Sequence, residues 1–405
     1  MSSQAPIAII GAGIGGLVAA LALIQRGIAV DVYEQASELR EVGAGLQLAA
    51  NGTRVLISLG LGEAVENISC VPEGKEVRLY NTGQTWKLFD LGQTSVEKYG
   101  APYWMSHRGD LHRILVDAVE AARPGAIRLG HKLTAFEQSA SGVAMHFSNG
   151  ATAAASAMVG ADGVHSAVRQ ILFGDMPAQF MGVAAWRGLV PMERLPKHLQ
   201  RLVGCNWVGP GGHVITYPLR GGKLLNFVAA LERDNWAVDS WTEAGTQAEC
   251  AADFVGWHDD IQEIVRHIDI PYKWALLGRE PLQKWSVGRV SLLGDACHPT
   301  LPMLAQGANM AIEDGMVLAR CLAGEPDVAK ALKQFETARV ERTSQIVRRS
   351  TEAAKRFHNP ALADPAGAAA YVDREWTPEK IEARYGWLFE YDAMETPLPA
   401  VQGPD

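Results

Sequence analysis

The chain has 405 residues, 48% hydrophobic and 20% charged, with a formal net charge of −8 and no block of like charge. That is the mixture of an ordinary folded protein, large enough for two or three structural units around a sizeable core. It argues against a nucleic-acid surface, which needs clustered Lys and Arg to displace counterions, while leaving room for a local basic pocket.

In chain order, Pro6 to Ile10 is a short apolar run with the look of a buried parallel strand. Leu17 to Gln25, rich in Ala and Leu, predicts a helix that Arg26-Gly27 closes. Ala29 to Tyr33 reads as a second strand with Glu34 at its end, so the chain opens on a βαβ unit. A helix is expected over 51–66 with Asn51 as N-cap. Residues 75–90 are polar and β-like, with Gly83 as a hairpin turn, and Asp110 to Ala122 is a helix. Residues 127–160 alternate around Asn149-Gly150, a strong hairpin signal. From 180 to 232 several β-type runs are split by Gly209-Pro210-Gly211-Gly212 and Gly221-Gly222, which predicts an antiparallel sheet in a separate layer. Val290 to Leu293 returns to a buried-strand pattern, and Ala308 to Leu322 and Val328 to Lys355 are helical. Beyond Phe357 the chain is rich in Pro, Ala and Trp, with Thr377-Pro378 as a helix start. There is no internal repeat and no long linker.

Cys70, Cys205, Cys250, Cys297 and Cys321 form no CxxC pair and are odd in number, so they read as free thiols in a reducing compartment. The N-terminus lacks a basic region, and no stretch reaches the ~20 apolar residues of a membrane helix. The expected location is the cytoplasm, with no membrane partner.

Three motifs carry chemistry. Gly11-Ala12-Gly13-Ile14-Gly15-Gly16 lies between a strand and a helix: Gly11 allows the tight turn, Gly13 lets the backbone approach a pyrophosphate, and Gly16 allows helix to pack on strand. The helix N-terminus supplies N–H groups for phosphate, and Glu34 sits where a carboxylate meets a ribose. Strand, glycines, helix, strand and acid together outweigh a ligand-free turn, but do not separate FAD from NAD. The second motif, Gly160-Ala161-Asp162-Gly163 running on to His165, Ser166 and Arg169, and the third, Gly294-Asp295-Ala296-Cys297-His298-Pro299, each follow an apolar run. A carboxylate at the end of a parallel strand can hold a ribityl or ribose chain; read singly, either Asp is better taken as a cap or turn residue. Gly307-Ala308-Asn309, leading to Glu313-Asp314, starts a second helix near the same place. His298 reads as structural, since its neighbours form no metal-ligand cluster.

In order and spacing these motifs resemble the flavoprotein aromatic hydroxylases, the p-hydroxybenzoate hydroxylase-like family, over nearly the whole chain. Glu41 to Gln47 and Ser106-His107-Arg108-Gly109-Asp110-Leu111 add to the match. Trp186-Arg187-Gly188 and His213 to Arg220 are similar to the branch of salicylate hydroxylases, 3-hydroxybenzoate 6-hydroxylases and 6-hydroxynicotinate 3-monooxygenases. The resemblance implies an α/β fold: a Rossmann-like FAD-binding domain of the glutathione-reductase type (1–70, 105–175 and 288–350), an inserted antiparallel-sheet substrate domain (71–104 and 176–287) and a C-terminal helical region (351–405). It implies non-covalent FAD, NADH or NADPH as transient reductant, and O2 as co-substrate, in a monomer or homodimer. Gly11, Ala12, Gly13, Gly15, Gly16, Glu34, Gln35, Gly45, Leu46, Arg108, Leu133, Asp162, Gly163, Asp295, Gly307, Ala308 and Asn309 would hold the cofactor. Arg108 would face its phosphates or ribityl chain; taken alone, that arginine reads equally as a surface ion-pair partner.

The implied reaction is hydroxylation of a small hydroxylated aromatic acid through a flavin C4a-hydroperoxide. His213 and Tyr217 would line the substrate site, with His213 deprotonating the ring hydroxyl, whose ordinary pKa is about 10. Four apart on a strand, they face one side; the blander alternative is a pair of half-buried residues with satisfied tips. Gln47, Arg187, Arg220, Pro302 and Met303 complete the expected substrate site, either arginine anchoring a carboxylate, though both read equally as structural or flavin-facing. Pro302-Met303 departs from the Gln or His that some members place there, and Met303 cannot act as acid or base. Pro302 favours salicylate, converted to catechol with loss of CO2, while His213 and Tyr217 favour 3-hydroxybenzoate or a hydroxypyridine carboxylate. A reading from another class is a flavin-binding redox sensor without turnover.

Overall fold

The computed structural model describes residues 5–39, 45–234 and 243–400. Five parallel strands form one sheet in the order Val290–Leu292, Ala157–Gly160, Ile7–Ile10, Val30–Tyr33 and Ile127–Arg128. Buried on both faces, such strands need continuous apolar runs, and Ile7–Ile10 is buried throughout. Helix Ile14–Ile24 lies against helix Gly307–Gly324. Small residues let them meet: a Cβ on Gly315 would stand 2.7 Å from the Ala19 nitrogen. The hairpin around Asn149-Gly150 joins Val143–Phe147 to Thr152–Ala155 in a three-stranded antiparallel sheet with Leu133–Gln138.

The second layer is an eight-stranded sheet ordered Glu243–Ala244, Tyr272–Gly278, Gln179–Pro191, Leu224–Glu232, Gly212–Leu219, Val203–Gly209, Gly74–Leu79 and Thr85–Asp90. It is antiparallel except where Val203–Gly209 pairs in parallel with Gly74–Leu79. Residues 74–90 thus cross from the nucleotide side to complete this sheet, and we propose the division into a cofactor-side unit, a sheet unit and a C-terminal helical region expected above. The long helix Val328–Phe357 is followed by helices Pro365–Glu375 and Pro378–Phe389; their Tyr371, Tyr385 and Phe389, with Trp376 between them, are buried in a core shared with the sheet. Thr377 caps the last helix by accepting from the Lys380 N–H. No described helix is long and apolar enough to cross a membrane, and all five cysteines are buried free thiols.

One element differs from expectation. Residues 51–66 form two helices, Ala50–Ser58 and Gly62–Ile68, broken at Gly60 with its φ of +80°. Asn51 lies inside the first and is not a cap: its Nδ2 donates to Glu313 Oε1 at 2.5 Å and to Gln306 Oε1 at 2.9 Å, in the protein interior.

Candidate active site

The carboxyl ends of four parallel strands deliver Gly11, Glu34, Ala161 and Gly294 to one edge of the sheet, where such folds bind ligands. Gly11 turns with φ +106°, and a Cβ there would overlap the Ala161 carbonyl. A Cβ on Gly16 would overlap the Gly11 carbonyl, and one on Gly15 would stand 2.7 Å from Leu293 Cδ2. These three glycines let helix, strand and neighbouring turn approach one another. Gly13 is different: a Cβ there meets nothing within 4 Å. It borders open space, as a backbone position against a ligand must.

Two cavities, of about 350 and 560 Å³, share Gly13 and Arg108 in their walls. The larger is bounded by Glu34, Ala36 to Leu39, Gly109 and His112. The Glu34 carboxylate accepts the N–H of Ala12 at 2.9 Å and of Ala36 at 2.8 Å, which fixes its direction. His112 Nε2 bonds the Ala12 carbonyl at 2.7 Å. It lies one helical turn after Arg108, a spacing that sequence reasoning could have used. The smaller cavity runs past Gly15, Arg108, Gly163, Asp295, Gly307 and Ala308 to the large sheet. Helices Ile14–Ile24 and Gly307–Gly324 both begin on its wall without a side-chain cap, so their first N–H groups are available to an anion.

Arg108 and Asp295 are open to the cavity volume yet ringed by protein. Burial lowers the Arg108 guanidinium from its ordinary value, with Asp295 opposing; burial raises the Asp295 carboxyl, with His298 and Arg108 opposing. No hydrogen bond to the Asp295 carboxylate is found among the described residues, so its acceptors face the cavity. A buried network holds it there. Asp314 Oδ2 accepts the Gly294 N–H at 3.1 Å and bonds His298 Nε2 at 2.6 Å, and Asp314 Oδ1 accepts Arg339 Nε at 2.7 Å. Glu313 accepts Arg339 at 2.6 Å and Arg342 at 2.8 and 2.9 Å. His298 is thus tied to Asp314, and no metal-binding cluster occurs among the described residues.

At the sheet end, Ile215, Tyr217, Val228, Pro302 and Ala305 form a largely apolar wall, with Leu46 and Gln47 adjoining. Gly45 makes room for Tyr217, since a Cβ would overlap the tyrosine ring, and its N–H donates to Asn226 Oδ1 at 2.9 Å. Burial pushes the Tyr217 phenol well up, so it stays neutral and can donate. Gln47 Oε1 accepts from the Tyr103 hydroxyl at 2.7 Å. Ala305 has φ +53°, a strained value for a residue with a Cβ, in the turn after Pro302–Leu304.

Several expected site residues do other work. His213 is not in the cavity wall: it lies on the same strand face as Ile215 and Tyr217, roughly 7 Å beyond Ile215. Its Nδ1 bonds His358 Nε2 at 2.7 Å, and His358 Nδ1 bonds Glu232 Oε1 at 3.1 Å. Arg220 is held by Asp110 through two bonds of 2.7 Å, because its partner occupies the fork that a substrate carboxylate would need. Asp162 accepts from Ser166 Oγ at 2.6 Å and the Val168 N–H at 3.1 Å, capping a helix, while its neighbours Ala161 and Gly163 line the cavity. Asn309 clamps two segments, accepting the Ala49 N–H and donating to the Gln47 and Ala305 carbonyls. Leu133 and Met303 are buried in apolar cores, and Gln35 is exposed outside both cavity walls. Arg187 is buried over the rings of Tyr272 and Trp274, paired across the sheet with Val228 of the wall. Glu41 to Ala44 of the expected motif lie outside the described residues.

A cradle with an open glycine, two uncapped helix starts, Glu34 at one end, and Arg108 and Asp295 in the middle suits a dinucleotide. Comparison with known proteins agrees. The FAD binding domain family matches residues 4–350. A 3-amino-4-hydroxybenzoate 2-monooxygenase of Streptomyces platensis is 39% identical over 389 residues, covering 96% of both chains. A 6-hydroxynicotinate 3-monooxygenase of Pseudomonas fluorescens is 34% identical over 403 residues, covering 98% of both. The crystal structure of Klebsiella pneumoniae HpxO complexed with FAD and uric acid superposes with a TM-score of 0.81 at 28% identity, covering 97% of this chain and 98% of that one.

Proposed function

The chain belongs to the FAD binding domain family and is an FAD-dependent aromatic monooxygenase of the hydroxybenzoate and hydroxynicotinate hydroxylase group, and from that premise we propose that it hydroxylates the ring of a small benzoate bearing a free hydroxyl. We rank 3-amino-4-hydroxybenzoate first, because that is the substrate in the name of a relative 39% identical across almost the whole chain. Salicylate, which Pro302 favours, 3-hydroxybenzoate and 6-hydroxynicotinate follow.

Bound FAD, recharged by NADH or NADPH, supplies the activated oxygen; the protein binds, orients and excludes water. On this reading Gly11 to Gly16, Glu34, Arg108 and Asp295 hold the cofactor, and the ring lies against Tyr217, Ile215, Val228 and Pro302. The neutral Tyr217 hydroxyl hydrogen-bonds the substrate. Arg187, next to Val228, anchors the carboxylate; Arg220 is left to Asp110. His213 takes the proton of the ring hydroxyl, so that the oxyanion enriches the carbons ortho and para to it, which are the attacked carbons of salicylate, 3-hydroxybenzoate and 6-hydroxynicotinate; in 3-amino-4-hydroxybenzoate position 2 is meta to the hydroxyl, and the adjacent amino group supplies the electron density.

The observation that carries this reading is the sheet face itself. His213, Ile215 and Tyr217 follow one another on it, the last two in the cavity wall, and His213 Nε2 has no hydrogen-bond partner among the described residues. The test is His213→Ala in the holoenzyme. Hydroxylation of salicylate or 3-hydroxybenzoate, whose attacked carbons are ortho or para to the hydroxyl, falls by ~10²–10⁴-fold, the usual cost of losing a general base, while flavin reduction by the nicotinamide keeps its rate. Wild-type product yield and rate in this variant would remove His213 from the base role.

A further inference from the structure

His213 is poorly suited to keep a proton. It is 2% exposed, and burial, with His358 beside it, holds it well below the ordinary histidine value. A base that cannot stay charged must pass its proton on. What stands next to it is a second histidine and then a carboxylate at the surface: His213 Nδ1 to His358 Nε2 is 2.7 Å, His358 Nδ1 to Glu232 Oε1 is 3.1 Å, and the Glu232 side chain is 58% exposed.

From this row of side chains we infer that His213, His358 and Glu232 form a proton exit relay that carries the ring-hydroxyl proton of the substrate to solvent. The inference rests on His213 acting as the base. Hydrogen-bond directions follow from the ends. An ionised Glu232 only accepts, so His358 Nδ1 carries a proton and donates. In a neutral His358 the Nε2 is then bare and accepts from His213 Nδ1–H, which leaves His213 Nε2 as a lone pair. The network thereby selects the tautomer with its basic nitrogen unprotonated. In the transfer, the substrate O–H bond breaks and an N–H bond forms at His213 Nε2. The Nδ1 proton of His213 moves to His358 Nε2, and the Nδ1 proton of His358 moves to Glu232 and on to water. The proton count balances, and no oxidant or reductant takes part.

The fold holds the relay in place. His358 ends helix Val328–Phe357, where the helix dipole favours a passing positive charge. The His358 carbonyl accepts the Gly211 N–H at 3.1 Å, and the Gly211 carbonyl accepts the Glu232 N–H at 2.8 Å, so the hairpin turn ties both members together. Phe357 packs on the His213 ring, with centroids 5.1 Å apart, and helps exclude water from the first transfer.

The test uses holoenzyme and the probes 3-amino-4-hydroxybenzoate and 3-hydroxybenzoate, mixed without oxygen in weak buffer with a pH indicator. Ionisation of the ring hydroxyl is followed by its absorbance, and proton appearance in solvent by the indicator. In the wild type the two coincide. In His358→Gln we expect proton appearance at least ~10-fold slower, with flavin reduction unchanged and the delay shortened by added imidazole. A purely structural role for His358 would not give a delay that imidazole relieves. Glu232→Gln, at the surface, gives a smaller delay of the same kind and decides the matter if His358→Gln does not fold. Wild-type proton release in these variants, with hydroxylation still dependent on His213, would overturn the relay and leave the base standing. Wild-type hydroxylation by His213→Ala would remove both.

Discussion

Arg339 is the hinge of the buried network beneath the cofactor cradle, and Arg339→Met tests what that network does. The side chain is fully buried, with Nε on Asp314 at 2.7 Å and Nη2 on Glu313 at 2.6 Å. Breaking a buried pair by removing one partner costs about 3–5 kcal/mol, because the remaining charge stays desolvated. Here Arg342 still neutralises Glu313, and His298 still faces Asp314, so we place the loss near the lower end, about 3 kcal/mol. Burial alone would raise both carboxyls, but Arg342 and Arg339 hold Glu313 down, and His298 and Arg339 hold Asp314 down. Carboxyls depressed in this way stabilise the fold above their unfolded values, and that stability is lost as pH falls through the depressed folded values. Without Arg339 those values rise, so the variant starts to lose stability at a higher pH than the wild type. Asp314 also accepts the Gly294 N–H next to Asp295, so FAD affinity drops as well. Urea unfolding at neutral and mildly acidic pH, with an FAD titration of the apoprotein, measures both. A loss under about 1 kcal/mol with unchanged FAD affinity would refute the argument that this network is held by a desolvated charge balance.

Lys75 is buried over the rings of Tyr103 and Phe89, and burial lowers its ammonium from an ordinary 10.5 to about 7. Below pH 7 the fold carries the full cost of that charge, up to about 5 kcal/mol at 1.36 kcal/mol per pH unit; between pH 7 and 10.5 only the unfolded chain holds the proton, so stability rises with pH. Lys75→Met, which also gives up two cation–π contacts, should gain about 2–4 kcal/mol at pH 6 and progressively less towards pH 10 in urea titrations; an equal gain at both would contradict it. Gly45→Ala pushes a methyl into the Tyr217 ring. FAD is retained, and turnover falls ~10–100-fold from misplacement of the site wall, as steady-state kinetics beside an FAD titration will show. Asp295→Ala removes hydrogen bonds to a charged acceptor, about 1.5–3 kcal/mol, and weakens FAD binding ~10–150-fold by fluorescence titration; undiminished affinity would displace Asp295 from the cradle.

The cofactor cradle was legible because it is local. Gly11, Gly13 and Gly16 act within a few residues of one another, and the strand–turn–helix pattern around them announces itself. Side-chain destinations were not legible, because long-range partners set them. Asn51 reads as a helix cap, yet its amide reaches Glu313, 262 residues away. Arg220 reads as an anion anchor, yet Asp110 claims it across 110 residues. His213 drew attention through the family resemblance, whereas its bond to His358 spans 145 residues of sequence with no motif to mark it. Lys75 opens a stretch that reads as polar and β-like, and only the packing of Phe89 and Tyr103 around it makes it a buried charge.

The most direct measurement is a substrate panel on the holoenzyme: 3-amino-4-hydroxybenzoate, salicylate, 3-hydroxybenzoate and 6-hydroxynicotinate. NADH or NADPH oxidation and O2 uptake are followed together, with the product mass read for each compound. The account predicts that at least one of them, 3-amino-4-hydroxybenzoate first, drives tightly coupled nicotinamide oxidation and yields a product with one added oxygen, or with hydroxyl in place of carboxylate for salicylate and 6-hydroxynicotinate. Nicotinamide oxidation that no hydroxylated aromatic acid stimulates, or that gives only hydrogen peroxide with all four, would contradict it.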